Sequence, residues 1–197
     1  MKPAISRATP LLLASTSRYR AELLRRLGVP FEPIAPGVDE TPVAGETPVN
    51  LAQRLARAKA QAVAAAHPDR WVLGSDQVPA FEDRVFDKPG DRATAIGQLL
   101  ACSGKSVVFY TAAAVAGGTR VVEQLDTTIV RFRALTRTDV ERYLDAEPAY
   151  DSAGSFKVEG LGITLFEAVE TRDPTALIGL PLIIVRRLLG EAGYRLP

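Results

Sequence analysis

Apolar residues change their spacing several times along the chain, and each change marks an element boundary. Leu11, Leu12, Leu13 and Ala14 form a continuous apolar run that reads as a short buried strand over 10–14. The next apolar residues, Leu23, Leu24 and Leu27, recur at helical spacing before Gly28, so the start of the chain reads as strand, tight turn, helix. Phe31 to Ile34 can make a second short strand, after which Pro36, Gly37, Pro42 and Gly45 break regular structure and leave Asp39 and Glu40 in a loop. Thr47 followed by Pro48 is a helix start, and Leu51, Leu55, Ala58 and Ala62 share one face of a long helix that ends near His67-Pro68. Trp71 to Asp76 predicts another buried strand with Asp76, Gln77 and Val78 at its C-terminal end. Asp91 caps a helix containing Ile96, Leu99 and Leu100.

The second half has a different texture. Val107 to Ala116 and Arg120 to Phe132 are β-rich runs separated by Gly117-Gly118, which predicts an antiparallel hairpin. Thr136 with Asp139 resembles a capping box ahead of a helix through Tyr143 and Leu144 that Glu147-Pro148 ends. Asp151 to Thr164 is rich in Gly and Ser and reads as a structured loop, and the last helix starts near Pro181 and runs through Leu188. No repeat, low-complexity tract or linker divides the chain, so the expectation is one domain over 1–197, an α/β fold with a mixed central sheet and flanking helices.

Composition narrows the function classes. The chain has 197 residues, enough to bury a core, and Lys plus Arg number 24 against 23 Asp plus Glu. A net charge of +1 gives no field that would draw the chain to polynucleotide or membrane, so neither is expected as a partner. Leu11 to Ala14 is too short for a secretory core or a membrane span. Cys102 is the only cysteine, which excludes an internal disulfide and multi-cysteine metal sites and fits a reducing, cytoplasmic compartment.

Ser15-Thr16-Ser17-Arg18-Tyr19-Arg20 lies between a strand and a helix, where N–H groups, the Ser15 and Ser17 hydroxyls and the Arg20 guanidinium can cradle phosphate oxygens. Taken alone, the plain reading is the favoured one, with Ser17 as a helix cap and Arg20 as a solvated cation. Asp76, at a strand end, either binds a cation or water or caps the following turn. Asp39, Glu40 and Asp76 are hard oxygen donors suited to Mg²⁺ or Mn²⁺ on a triphosphate, although loop acids are usually just solvated. Lys59 and Lys88 suit polyphosphate as point charges, and each alone reads as an exposed lysine. Three glycines set around Lys157 and Glu159 suggest a loop that brings backbone and side chains close to a ligand. His67, the sole histidine, sits at a helix end, and no GxxxxGK[ST] or GxGxxG run occurs, so triad hydrolases, P-loop nucleotidases and Rossmann dehydrogenases are unsupported.

Taken in order, Leu13-Ala14-Ser15-Thr16-Ser17 with Arg20, Val38-Asp39-Glu40-Thr41-Pro42, Ala58-Lys59-Ala60, Gly74-Ser75-Asp76-Gln77-Val78, Lys88-Pro89 and Ala153 to Gly162 resemble the Maf family of nucleotide pyrophosphatases, in its 7-methyl-GTP-cleaving branch. The resemblance covers nearly the whole chain. It implies two lobes around a cleft, as in inosine triphosphate pyrophosphatases, often in a homodimer. It also implies a divalent cation, hydrolysis of a nucleoside triphosphate to monophosphate and pyrophosphate, and Asp76 as proton acceptor. Phosphate or metal roles fall on Ser15, Arg20, Glu40, Lys59 and Lys88, with Glu40 and Asp76 as the metal pair, and base selection on Tyr19, Gln77 and Glu159. Asp87 before Lys88-Pro89 and Ala112 after Thr111 stand where the family usually has Gly. A cationic 7-methylguanine suits an aromatic face at Tyr19 and a carboxylate at Glu159. The alternatives are the dTTP/UTP-cleaving branch, which Gln77 and Glu159 disfavour, and a non-catalytic nucleotide-binding regulator of septum formation.

Overall fold

Strand β1 (Leu11–Ala14) is buried along its whole length because it lies inside a sheet with helices on both faces, the setting in which strands carry continuous rather than alternating apolar residues. The computed structural model describes residues 4–82 and 84–196. Helix α1 (Arg18–Arg25) follows, with Ser17 at its N-cap accepting the Arg20 N–H. Then come β2 (Phe31–Ile34), α2 (Pro48–Ala66), capped by Thr47, and β3 (Val72–Phe81). The chain continues through β4 (Arg84–Val85), α3 (Arg92–Cys102), β5 (Ser106–Gly117), β6 (Arg120–Phe132), α4 (Arg137–Ala146), β7 (Phe166–Glu170) and α5 (Leu182–Glu191). The capping box on α4 is complete, with Thr136 and Asp139 bonding each other's backbone N–H reciprocally.

The sheet runs β2-β1-β3-β5-β6-β7, with β4 paired to the outer part of β3. Pairings of β1 with β2 and β3 are parallel; those of β5 with β3 and β6, and of β6 with β7, are antiparallel. The expected mixed sheet is therefore present. Beyond the expectation are β4, β7 and the stretch from Pro79 to Phe81 that extends β3. β7 carries Glu167 and Glu170 on an edge position and so lacks the apolar density that marks a buried strand.

Helix α2 covers one face. Gly74 of β3 makes this possible, because a Cβ there would lie 2.4 Å from the Ala56 carbonyl oxygen and 2.6 Å from the Ala60 nitrogen. Ala112, Ala114 and Ala116 of β5 keep the same surface low. On the opposite face two core clusters share the long β5–β6 hairpin. Leu13, Leu73, Ala113 and Val115 pack with α1 and α5, while Val107, Phe109, Val130 and Phe132 pack with α3, α4 and Phe156. These are the two lobes, and residues of both, among them Phe109 and Ile178, line one cleft. Among the described residues no helix is long and apolar enough to cross a membrane.

Candidate active site

β1 stops at Ala14, whereas β3 continues to Phe81. On that edge β3 pairs with β1 as far as Leu73 and with β4 only from Ala80, so the stretch between carries no neighbouring strand. Asp76 and Gln77 lie in this gap. Asp76 is thus in the interior of a strand, not at its C-terminal end as the pattern suggested; what ends there is the partner strand. A cleft of about 860 Å³ fills the gap, and Ser15, Ser17, Tyr19, Arg20, Glu40, Lys59, Asp76, Gln77, Lys88, Lys157 and Glu159 all line it. Asp39 does not. Its carboxylate is held within its own loop by the Thr41 hydroxyl and by the Thr41 N–H at 2.9 Å, and those bonds hold its pKa down.

Successive residues of β3 point to opposite faces, which sorts their partners. Asp76 faces α2 and accepts from the Lys59 Nζ at 2.7 Å, and Glu40 from the 36–46 loop reaches the same Nζ at 2.9 Å. Lys59 is only 4% exposed, so the solvated lysine suggested by its helix position is overturned. Neighbouring small residues Ala56 and Ala60 bring α2 close enough to bury the ammonium against two carboxylates. Burial pushes the Asp76 carboxyl above its usual range, against the opposing pull of Arg20 and Lys59. Gln77 faces the other way. Its amide nitrogen donates to Thr111 Oγ1 at 3.1 Å and to the Ala176 and Leu177 carbonyls at 2.9 and 3.1 Å. Those bonds commit the donors of Gln77 and leave its carbonyl oxygen for a ligand.

One end of the cleft is built for anions. The Ser15 hydroxyl accepts the Ser17 N–H at 3.1 Å and faces an Arg20 Nη1 at 3.4 Å, just before the N-terminus of α1. Ser17 both caps α1 and lines the cleft, so its two readings coexist. The Arg20 Nε donates to the Gly179 carbonyl at 3.0 Å, and burial pushes its pKa down against the pull of Asp76 and Glu40. Gly179 escaped the sequence reading because it contributes a backbone oxygen and no side chain. Its φ of 119° suits glycine. Lys88, beside Asp87, stands exposed on the cleft wall.

The other end gathers Tyr19, Lys157 and Glu159 with two residues the sequence reading passed over, Arg18 and Asp151. The Arg18 guanidinium lies 4.8 Å from the Tyr19 ring centroid and donates to its hydroxyl at 2.8 Å. Partial burial works against the Lys157 ammonium, but the Asp151 carboxylate at 3.1 Å outweighs it and holds the pKa above its ordinary value. One aromatic face at this end therefore already carries a cation.

Glu40 and Asp76 are close enough to share one ammonium, and two carboxylates completed by phosphate oxygens and water suit Mg²⁺ or Mn²⁺. Among the described residues no three His, Cys, Asp or Glu side chains gather as a closed metal site. The pair would supply two of the oxygen ligands of such a cation.

The profile described as Maf-like protein matches residues 10–192. A 7-methyl-GTP pyrophosphatase of Xanthomonas oryzae pv. oryzae (strain MAFF 311018) is 56% identical over 187 residues, which cover 95% of this chain and 98% of the relative. A protein of the same name from Xanthomonas axonopodis pv. citri (strain 306) is 54% identical over 187 residues, 95% and 98% of the two chains. A third, from Bordetella pertussis (strain Tohama I / ATCC BAA-589 / NCTC 13251), is 51% identical over 183 residues, 93% and 92% of the two chains. With the matched region spanning both lobes and every wall of the cleft, the chain belongs to the Maf family.

Proposed function

We propose that this protein hydrolyses nucleoside triphosphates between the α and β phosphates, releasing pyrophosphate, with 7-methyl-GTP as its preferred substrate. The observation that carries the reading is a cleft lined at once by a buried carboxylate, Asp76, by the anion-binding Ser15 and Arg20, and by the aromatic and acidic Tyr19 and Glu159. The names of the relatives support the choice of base.

Asp76 takes the proton of the attacking water, and its burial raises its basicity for that task. Lys59 holds the carboxylate by one oxygen and keeps Glu40 beside it. Ser15, Arg20 and Lys88 receive the phosphate chain and offset the charge that develops on the leaving pyrophosphate. A divalent cation bound by Glu40 and Asp76 would neutralise triphosphate charge and polarise the scissile phosphate. At the far end the Tyr19 ring stacks on the base, and Glu159 with the free carbonyl of Gln77 offers acceptors to guanine N–H donors. N7-methylation makes guanine cationic, which adds cation–π attraction at Tyr19 and charge attraction to Glu159. A cytoplasmic location goes with this reading: Cys102 is the sole cysteine, so no internal disulfide calls for an oxidising compartment.

A pyrophosphate-release screen over 7-methyl-GTP, GTP, UTP and dTTP, with Mg²⁺ or Mn²⁺ and with excess EDTA, tests the proposal. Expected are activity only with the cation, a kcat/KM for 7-methyl-GTP at least about tenfold above that for GTP, and a narrower preference in Tyr19→Leu. Orthophosphate release without pyrophosphate would sink the reaction. Preference for UTP or dTTP would sink the base assignment, and full turnover in EDTA would remove the cation.

A further inference from the structure

Glu159 makes no hydrogen bond or ion pair with another described residue, so its position depends on the backbone that carries it. That backbone is a tight curl: the Gly160 and Gly162 N–H groups both donate to the Lys157 carbonyl, at 3.2 and 3.1 Å. A Cβ on Gly162 would lie 2.4 Å from that oxygen, so only glycine closes the curl. Its two ends are tied to α4 and to Glu147, the residue that caps it. The Lys157 N–H donates to the Tyr143 hydroxyl at 3.1 Å, and the Gly162 N–H donates to the Glu147 carboxylate at 3.2 Å. Tyr143 in turn donates to the same Glu147 oxygen at 3.0 Å, across one helical turn. Gly160 lies so near that carboxylate that a Cβ there would collide with it.

We propose that Tyr143 and Glu147, neither of which lines the cleft, are positioning residues for base selection: together they clamp the 157–162 curl and so fix where Lys157 and Glu159 stand. The proposal rests on the guanine reading of Glu159 given above. Both residues act only through the curl. Tyr143 is buried with its ring in the α3/α4 core, so Tyr143→Phe removes the hydroxyl and keeps the packing. Glu147→Ala removes the shared acceptor, and Glu147→Gln restores a carbonyl oxygen at the same place. Loosening the clamp gives the Glu159 carboxylate a range of positions, which weakens binding of any base that it must meet. It leaves the phosphate end untouched, because Ser15, Arg20, Lys59 and Asp76 lie on other elements.

Steady-state kinetics with 7-methyl-GTP, GTP and UTP, joined to amide hydrogen exchange, test this. Tyr143→Phe and Glu147→Ala should each raise KM for both guanine nucleotides by about fivefold to tenfold, with kcat and the kcat/KM for UTP changed by less than about twofold. Exchange should quicken at the Lys157 and Gly162 amides and not in β5 or β6, and Glu147→Gln should recover most of the lost affinity. The assignment is overturned if all three substrates fall by one common factor, which is a general structural effect. It is also overturned if exchange quickens while guanine KM stays at the wild-type value. A wild type that prefers UTP overturns the guanine reading and this assignment with it; a guanine-preferring wild type with unchanged variants overturns the assignment alone.

Discussion

Lys59 and Asp76 are coupled, and their substitutions separate stability from chemistry. Both are buried, so Lys59→Ala leaves a carboxylate in the interior without its ammonium, a change that costs about 3–5 kcal/mol when one partner of a buried pair is removed. Asp76→Asn is milder for the fold, because the amide is neutral and Lys59 retains Glu40. It removes the proposed proton acceptor, so kcat should drop by about a hundredfold or more while the urea midpoint stays close to the wild type. Denaturation curves and single-turnover kinetics on the two variants check this. Asp76→Asn with near-native kcat would take the base role away from it.

At the level of elements, the site depends on how closely α2 lies on β3. The approach of Gly74 to the Ala56 and Ala60 backbone is what carries Lys59 down to Asp76. Gly74→Ala places a methyl group inside that contact with backbone on the other side, where nothing flexible can yield. The helix must shift, at a cost of about 1–3 kcal/mol or more, and the Lys59–Asp76 contact must lengthen with it. The variant should show a lower urea midpoint and a lower kcat together. Ala substitution at exposed Gly97 of α3, where an added Cβ meets nothing, should leave kcat unchanged and raise the urea midpoint, because Ala is the better helix former by about 1 kcal/mol. A Gly74→Ala protein with wild-type stability and turnover would show that the close packing is not what holds the pair.

For the molecule as a whole, acid sensitivity should arise on the surface. The Arg54 guanidinium and the Val43 N–H hold the Glu46 carboxyl down to about 2, and the Thr136 hydroxyl and N–H, with Arg133, hold Asp139 down to about 2. A carboxyl depressed in the folded state stabilises above its unfolded pKa of about 4, and that contribution is lost as pH falls toward the folded value. The melting temperature should therefore fall from pH about 4 toward pH about 2, less steeply in Asp139→Asn and Glu46→Gln. Equal slopes in the wild type and both variants would place the acid-labile groups elsewhere. The sequence by itself determined the helix starts at Ser17, Thr47, Asp91 and Thr136, the hairpin, the cleft residues and the family resemblance. Caps, turns and apolar periods are local, and motif segments keep their residue types wherever the chain takes them. Only the tertiary structure decided that β1 ends short of β3 to open the gap, that Lys59 is buried between Asp76 and Glu40 while Asp39 turns away, that the Gly179 carbonyl accepts from Arg20, and that Tyr143 and Glu147 bond the 157–162 curl. Each of these depends on contacts between residues far apart along the chain, and in several the contributing group is a backbone oxygen or the missing side chain of a glycine, neither of which side-chain chemistry in a sequence can display.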